Sequence, residues 1–282
     1  MTQEHKHEPV RSRNEPFVAR TATRIWHEEP STDNPYIAAS AQCHGYDLFE
    51  LMEKRSFVDV FYLLFRGELP SHAESNLLQQ LMIALINPGP RHPAVRAAMN
   101  VGVGKTDPLH ILPIASAVLG GTYLGGGELE TSMRFFRKHQ KTQPEILIRD
   151  YLEQRDKNTL EKSAGKINEP GEVYFAGFGA RNGGVELMAV ELASRLAKLD
   201  GAGAALQWGC KLNEQLDEHG QGWLMTGVAA AVFADLGFQP RAGGCLFQLL
   251  GAPGLVAQGL ELANKPITAM PFVSDENYVI ER

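Results

Sequence analysis

Residues 44–70 read HGYDLFELMEKRSFVDVFYLLFRGELP. Within this stretch Ser56–Phe65 is apolar almost all round, which predicts a buried helix. Gly67 ends it and Pro70 forbids continuation. The same grammar of apolar runs closed by glycine or proline extends along the chain. Leu77–Ile86 predicts a second helix, closed by Pro88-Gly89-Pro90, and Pro93–Met99 a third. Ile111–Leu119 is apolar and small and breaks at Gly120-Gly121, and Leu129–His139 carries Met133, Phe136 and many bases on a half-exposed helix. Val185–Leu199 is the clearest amphipathic segment, with Val185, Met188, Leu192, Leu196 and Leu199 on one stripe. Val228–Leu236 stops at Gly237. Cys245–Leu250 and Leu255–Ala263 read as a last pair, separated by Gly251-Ala252-Pro253-Gly254. Residues 140–170 are charged and weakly patterned, which suits an outer lobe or a flexible stretch. Strand signals are confined to Glu172–Phe175 and Tyr278–Ile280. The expected class is mostly α.

The 282 residues suit one large domain, or a large domain with a smaller lobe. With 27 basic and 33 acidic residues the net charge is −6, and no basic stripe is present, which argues against nucleic acid. No apolar run reaches the roughly 18–20 residues that a membrane helix needs. The polar start, MTQEHKHEPVRSRNEP, lacks the apolar core of a secretory signal, and residues 1–20 read as a disordered tail. Cys43, Cys210 and Cys245 lie far apart with no CxxC, which fits reduced thiols in a cytoplasm. The nine histidines show no HxxxH or Cys/His spacing, so no metal site is expected.

Gly102-Val-Gly104-Lys105-Thr106 invites a phosphate-loop reading, but the glycine required five residues before the Gly-Lys pair is Met99. A turn between helices is the expectation. The run Gly120-Gly-Thr-Tyr-Leu-Gly125-Gly126-Gly127-Glu128 holds five glycines in eight residues, each costly in backbone entropy. Two explanations stay open: a ligand lying on the backbone, or tight helix packing. Glu128 follows as a helix opener favoured by the dipole. Ala180-Arg181-Asn182-Gly183-Gly184 leads into a helix whose first N–H groups suit an anion, with Arg181 in support; a plain cap is the alternative. His110 is the best titratable candidate for a site, with a satisfied helix histidine as the alternative.

Six separated segments resemble, in order, the citrate synthase and citryl-CoA lyase superfamily over roughly residues 36–282. Gly45-Tyr46-Asp47 with Glu68-Leu69-Pro70 resembles its "RGY(D/S)-…-GELP", with His44 in place of Arg. Asn87-Pro88-Gly89-Pro90 resembles "DHG", with Pro88 at the His. Leu124-Gly125-Gly126-Gly127 resembles "LHGG", with Gly125 at the His, and Ala176–Ala180 resembles "PGFGH", with Ala180 at the His. Leu224–Val228 resembles "NVDGV", with Thr226 at the Asp. Cys245–Glu261 resembles "ALFAIGRTPGWIAHALE", with Gly251 at the Arg and Gln258 at the His. Glycines, prolines and apolar residues agree, and these hold a fold. The residues that differ are those that handle protons and carboxylates.

The resemblance implies a large helical domain (21–127 and 224–282), a small one (128–223), a cleft between them and dimerisation through large-domain helices. In such enzymes an aspartate takes a proton from an acyl-CoA methyl, one histidine stabilises the enolate, and a second polarises the keto acid. Here Gly125, Ala180 and Thr226 stand at those positions, and none carries a proton at neutral pH. Each such loss costs on the order of 10²–10⁴ in rate. Pro88, His110, Gly125, Gly126, Glu128, Ala180, Arg181, Thr226 and Gly251 are the expected lining of the cleft, with a coenzyme A thioester as the implied ligand.

Three functional readings follow. The first is a non-catalytic structural or regulatory partner, as a homodimer or in a hetero-oligomer with an active paralogue. The second is a diverged acyl-CoA or carbonyl-substrate enzyme using His110, Glu128 and Arg181. The third is a sensor of coenzyme A esters or organic acids.

Overall fold

The computed structural model describes residues 19–161, 175–271 and 273–281. Of the sequence expectations, nearly all of the 1–20 tail, residues 162–170 and Glu172–Tyr174 lie outside the described residues. The chain falls into two compact units, Met1–Ser56 and Phe57–Arg282.

The first unit holds a sheet that sequence reading did not anticipate. Strand β1 (Trp26–Pro30) pairs antiparallel with β2 (Ala38–Cys43), and β2 pairs with β3 (Tyr46–Asp47). Its residues are mostly exposed, so no apolar alternation marks it. His44 (φ 49°) and Gly45 (φ 86°) make the two-residue turn between β2 and β3. Asp47 then caps helix α1 (Leu48–Lys54) by accepting from Glu50 N–H at 3.0 Å.

The second unit is helical. Helix α2 (Phe57–Arg66) ends at Gly67, whose φ of 75° permits the stop. It is not buried all round, however: Phe57 is 76% and Phe65 42% exposed. Only Tyr62 and Leu63 on one face are fully covered. Helix α3 (His72–Leu85) starts earlier than its apolar pattern does, because Ser71 and Glu74 form a capping box. Helix α4 (Pro93–Val103) has Pro93 in its first turn, and α5 spans Ile111–Leu119 as expected. Helix α6 (Gly126–His139) follows. The weakly patterned segment after it is also helical over α7 (Pro144–Glu161).

A two-stranded ribbon, β4 (Phe178–Gly179) with β5 (Gly222–Trp223), precedes and follows α8 (Leu187–Leu196) and α9 (Ala204–Asp217). Phe136, Phe178 and Trp223 pack their rings there, with centroids 4.4 Å apart for the closest pair. Helix α8 is shorter than its periodicity, and it buries Ala189, Ala193 and Leu196 rather than Met188. Helix α10 (Met225–Asp235) is the centre of the core, buried from Thr226 to Phe233. Asp235 at its end accepts from Gly203, Ala205 and Leu206 N–H at 2.7–3.0 Å and so caps α9.

The expected last pair of helices is one helix, α11 (Pro240–Ala263). Pro253 deprives it of one ladder bond, and Gly254 N–H donates instead to Ile86 O of the α3 terminus. Backbone at the end of α3 thus takes up the amide that follows the proline, and the helix continues. Among the described residues α11 is the one helix long and apolar enough to cross a bilayer, but it packs along α4, α5 and α6 as an interior element. At two crossings it meets backbone: a Cβ on Gly259 would press on Ala98 O and Ile111, and one on Gly244 on Gly126 O. Lys105 (φ 60°), from the sequence that suggested a phosphate loop, instead donates to the carbonyls of Ala263 (2.8 Å) and Lys265 beyond α11. Residues 278–280 form no strand and are exposed.

Two outcomes follow. Gly259→Val should cost about 3 kcal/mol or more, measured by urea denaturation, because part of what a side chain would strike is a carbonyl. Burial raises the Glu74 carboxyl, but donors from Ser71 and Tyr62 outweigh it and hold it below the usual range. A lowered carboxyl stabilises above its unfolded value, and that contribution fades as pH falls through the folded value. Glu74→Gln should therefore flatten the acid limb of a stability profile taken down to about pH 3.

Candidate active site

A part-buried polar cluster inside the second unit starts at the glycine run. Leu124 adopts φ 58° and swings the chain into α6. Gly125 precedes α6 and is buried, and a Cβ there would fall within contact distance of Leu119 O and Gly121 O. Close packing, the second of the two explanations weighed from sequence, accounts for Gly125 and for Gly126, which meets Gly244 O. Glu128 lies in the first turn of α6 and folds its carboxylate back. One oxygen accepts from Leu124 N–H at 2.6 Å; the other accepts from Arg181 Nη2 at 2.5 Å and Thr226 Oγ1 at 2.9 Å.

The ion pair is largely dry, with side chains 9% (Arg181) and 15% (Glu128) exposed. Arg181 Nη1 also lies 3.6 Å from Glu186 Oε1, and the guanidinium sits over the Tyr123 ring at 5.1 Å. Glu186 in turn accepts from Met225 N–H, at 3.1 Å. One buried carboxylate therefore ties α6, the turn at Arg181–Gly183 and α10 together.

Beside this cluster opens a cavity of about 640 Å³. Leu85, Leu119, Leu124, Met225 and Phe247 make apolar wall. Asn87, Arg91, His92, Arg181, Glu186 and Thr226 supply its polar groups. His92 caps α4: its Nδ1 accepts from Ala94 N–H at 3.1 Å, which places the ring proton on Nε2, 2.9 Å from Leu124 O. Both ring nitrogens are then engaged within the protein. Arg91 is exposed at the rim and has no hydrogen-bond or ion-pair partner among the described residues.

Of the residues singled out from sequence, Pro88, Arg181, Thr226 and Gly251 line the cavity. Glu128 reaches it through Arg181 and Thr226. Gly125, Gly126 and Ala180 lie buried but do not line it. His110 lies elsewhere, exposed on the turn Pro108–His110 ahead of α5. Sequence reading passed over Arg91, His92 and Glu186. For His92 a signal existed, since a polar residue directly before a proline at a helix start marks a cap. No group of three or more metal-binding side chains occurs among the described residues.

Removing one partner of the dry pair should strand the other. Glu128→Ala should cost about 3 kcal/mol, and the double variant with Arg181→Ala less than the sum of the single changes, in a denaturation cycle.

No family model matches this sequence, and no curated protein does. Solved structures do resemble it. Citryl-CoA lyase from Hydrogenobacter thermophilus superposes with a TM-score of 0.72 at 22% identity, over 93% of this chain and 94% of that one. An ATP citrate lyase from Methanosaeta concilii, in complex with (3S)-citryl-CoA, gives 0.64 at 16%, over 93% of this chain but 43% of that one. Citrate synthase from Thermoplasma acidophilum gives 0.55 at 16%, over 80% and 57%. Mostly helical, with its helices in this arrangement, the chain has the fold of the citrate synthase and citryl-CoA lyase superfamily.

Proposed function

We propose that this chain is a citrate synthase-like protein without the aldol chemistry of citrate formation or citryl-CoA cleavage. It serves instead as a structural or regulatory partner whose cavity takes a small organic ligand. The observation that carries this reading is the packing at Gly125. A histidine there would have to displace the Leu119 and Gly121 carbonyls, so the group is excluded by backbone as well as missing from sequence. At the other two positions Thr226 spends its hydroxyl on Glu128, and Ala180 offers a methyl.

The expected lobes supply the setting. Residues 128–223 contribute Arg181, Asn182, Glu186, Leu187 and Met188, and the remainder of the lining comes from 84–124 and 225–251. The cavity would then be the inherited cleft, closing on ligand by lobe movement, with a coenzyme A thioester approaching along Gly177–Arg181. Oligomerisation, as a homodimer or with an active cytoplasmic paralogue, is supported by uncovered apolar side chains on α5. Leu112 is 40% and Ile114 44% exposed.

The test is turnover by the isolated recombinant chain. Acetyl-CoA with oxaloacetate should release no free thiol, and citryl-CoA no oxaloacetate, above the protein-free rate. Citrate made or split at appreciable speed would defeat the proposal. Thr226→Asp should not restore activity; it sets a second carboxylate against Glu128, and its melting temperature should fall.

A further inference from the structure

The charge inventory of the cavity narrows the ligand further than its ancestry does. Arg181 faces Glu128 at 2.5 Å and Glu186 at 3.6 Å, so its charge is matched within the protein. His92 has both ring nitrogens engaged. Arg91 is the remaining cation on the lining, without a partner among the described residues. A tricarboxylate entering here would bring several negative charges to one available guanidinium and to two glutamates already in place. Its other carboxylates would leave water unpaired.

The walls favour the opposite kind of molecule. Gly251, standing by resemblance where the family keeps a carboxylate-binding arginine, faces the Leu119 side chain, 2.8 Å from where a Cβ would lie. Leu124, Met225 and Phe247 add to the apolar lining. Leu187 and Met188 line the cavity too, yet are 78% and 76% exposed. Large apolar side chains left in water at a cavity mouth gain most from an apolar guest.

Resting on the ligand-binding reading above, we infer that the cavity takes an amphipathic monoanion: an apolar chain against Leu119, Leu124, Met225 and Phe247, with a single carboxylate on Arg91 at the rim. The planar guanidinium suits a carboxylate in paired hydrogen bonds. The volume lies within the roughly 300–1,000 Å³ of small-molecule sites.

Calorimetry on the full chain with butanoate, hexanoate, octanoate and citrate tests this. Affinity should rise about threefold to fourfold per methylene along the series, with citrate weaker than hexanoate. Arg91→Gln, an exposed change, should weaken every monocarboxylate about tenfold or more and leave the chain-length slope intact. Met188→Ala should weaken octanoate but not butanoate. A flat series, citrate binding tighter than hexanoate, a silent Arg91→Gln, or no binding by any probe would each overturn the inference. Those outcomes leave the absence of aldol turnover untouched. Turnover of citryl-CoA alongside a rising series would defeat the functional reading and keep the ligand class.

Discussion

Backbone-to-backbone contact is the constraint on which the second unit depends. Helix α11 approaches α4 and α6 so closely that Gly259 and Gly244 leave no space for a side chain. Gly227 of α10 meets Gly177 in the same way. Interiors packed at this density do not accommodate one extra methyl group without displacement. These approaches hold the glycine run at 120–127 in place, and with it the start of α6. The orientation of Glu128 follows from that start, because its carboxylate folds back onto Leu124 N–H.

From this arises the unusual chemistry of the interior. A carboxylate from α6 binds both the Thr226 hydroxyl of α10 and the Arg181 guanidinium of the turn ahead of α8. The pair stabilises only as a closed set, since removing either charge leaves the other poorly solvated. Gly125, Ala180 and Thr226 are packed or bonded inward. The cavity beside them is lined by apolar side chains with Asn87, Arg91, Asn182 and Glu186.

Local signals made much of this frame legible. Helix α5 was readable to its end residues because an apolar run met Gly120-Gly121, and the stops of α2 and α10 were readable to within a residue because Gly67 and Gly237 follow them. Other elements deceived for identifiable reasons. The exposed strands β1 and β2 offered no alternation of apolar residues. Pro253 read as a break, yet Ile86 O satisfies the neighbouring amide from a distant helix. Helix α2 read as wholly buried, but apolar composition does not say whether a neighbour covers every face.

The sequence by itself determined the mostly helical class, the span of α5, the stops of α2, α6 and α10 to within a residue, and that Gly125, Ala180 and Thr226 carry no ionisable side chain. Those are properties of single residues and their chain neighbours. Tertiary structure alone decided that Gly125 is closed to any side chain, that Glu128 joins Arg181 and Thr226, and that His92 and Arg91 reach the cavity while His110 does not. Each of these depends on which distant backbone lies within a few ångströms, and no pattern along the chain encodes that distance.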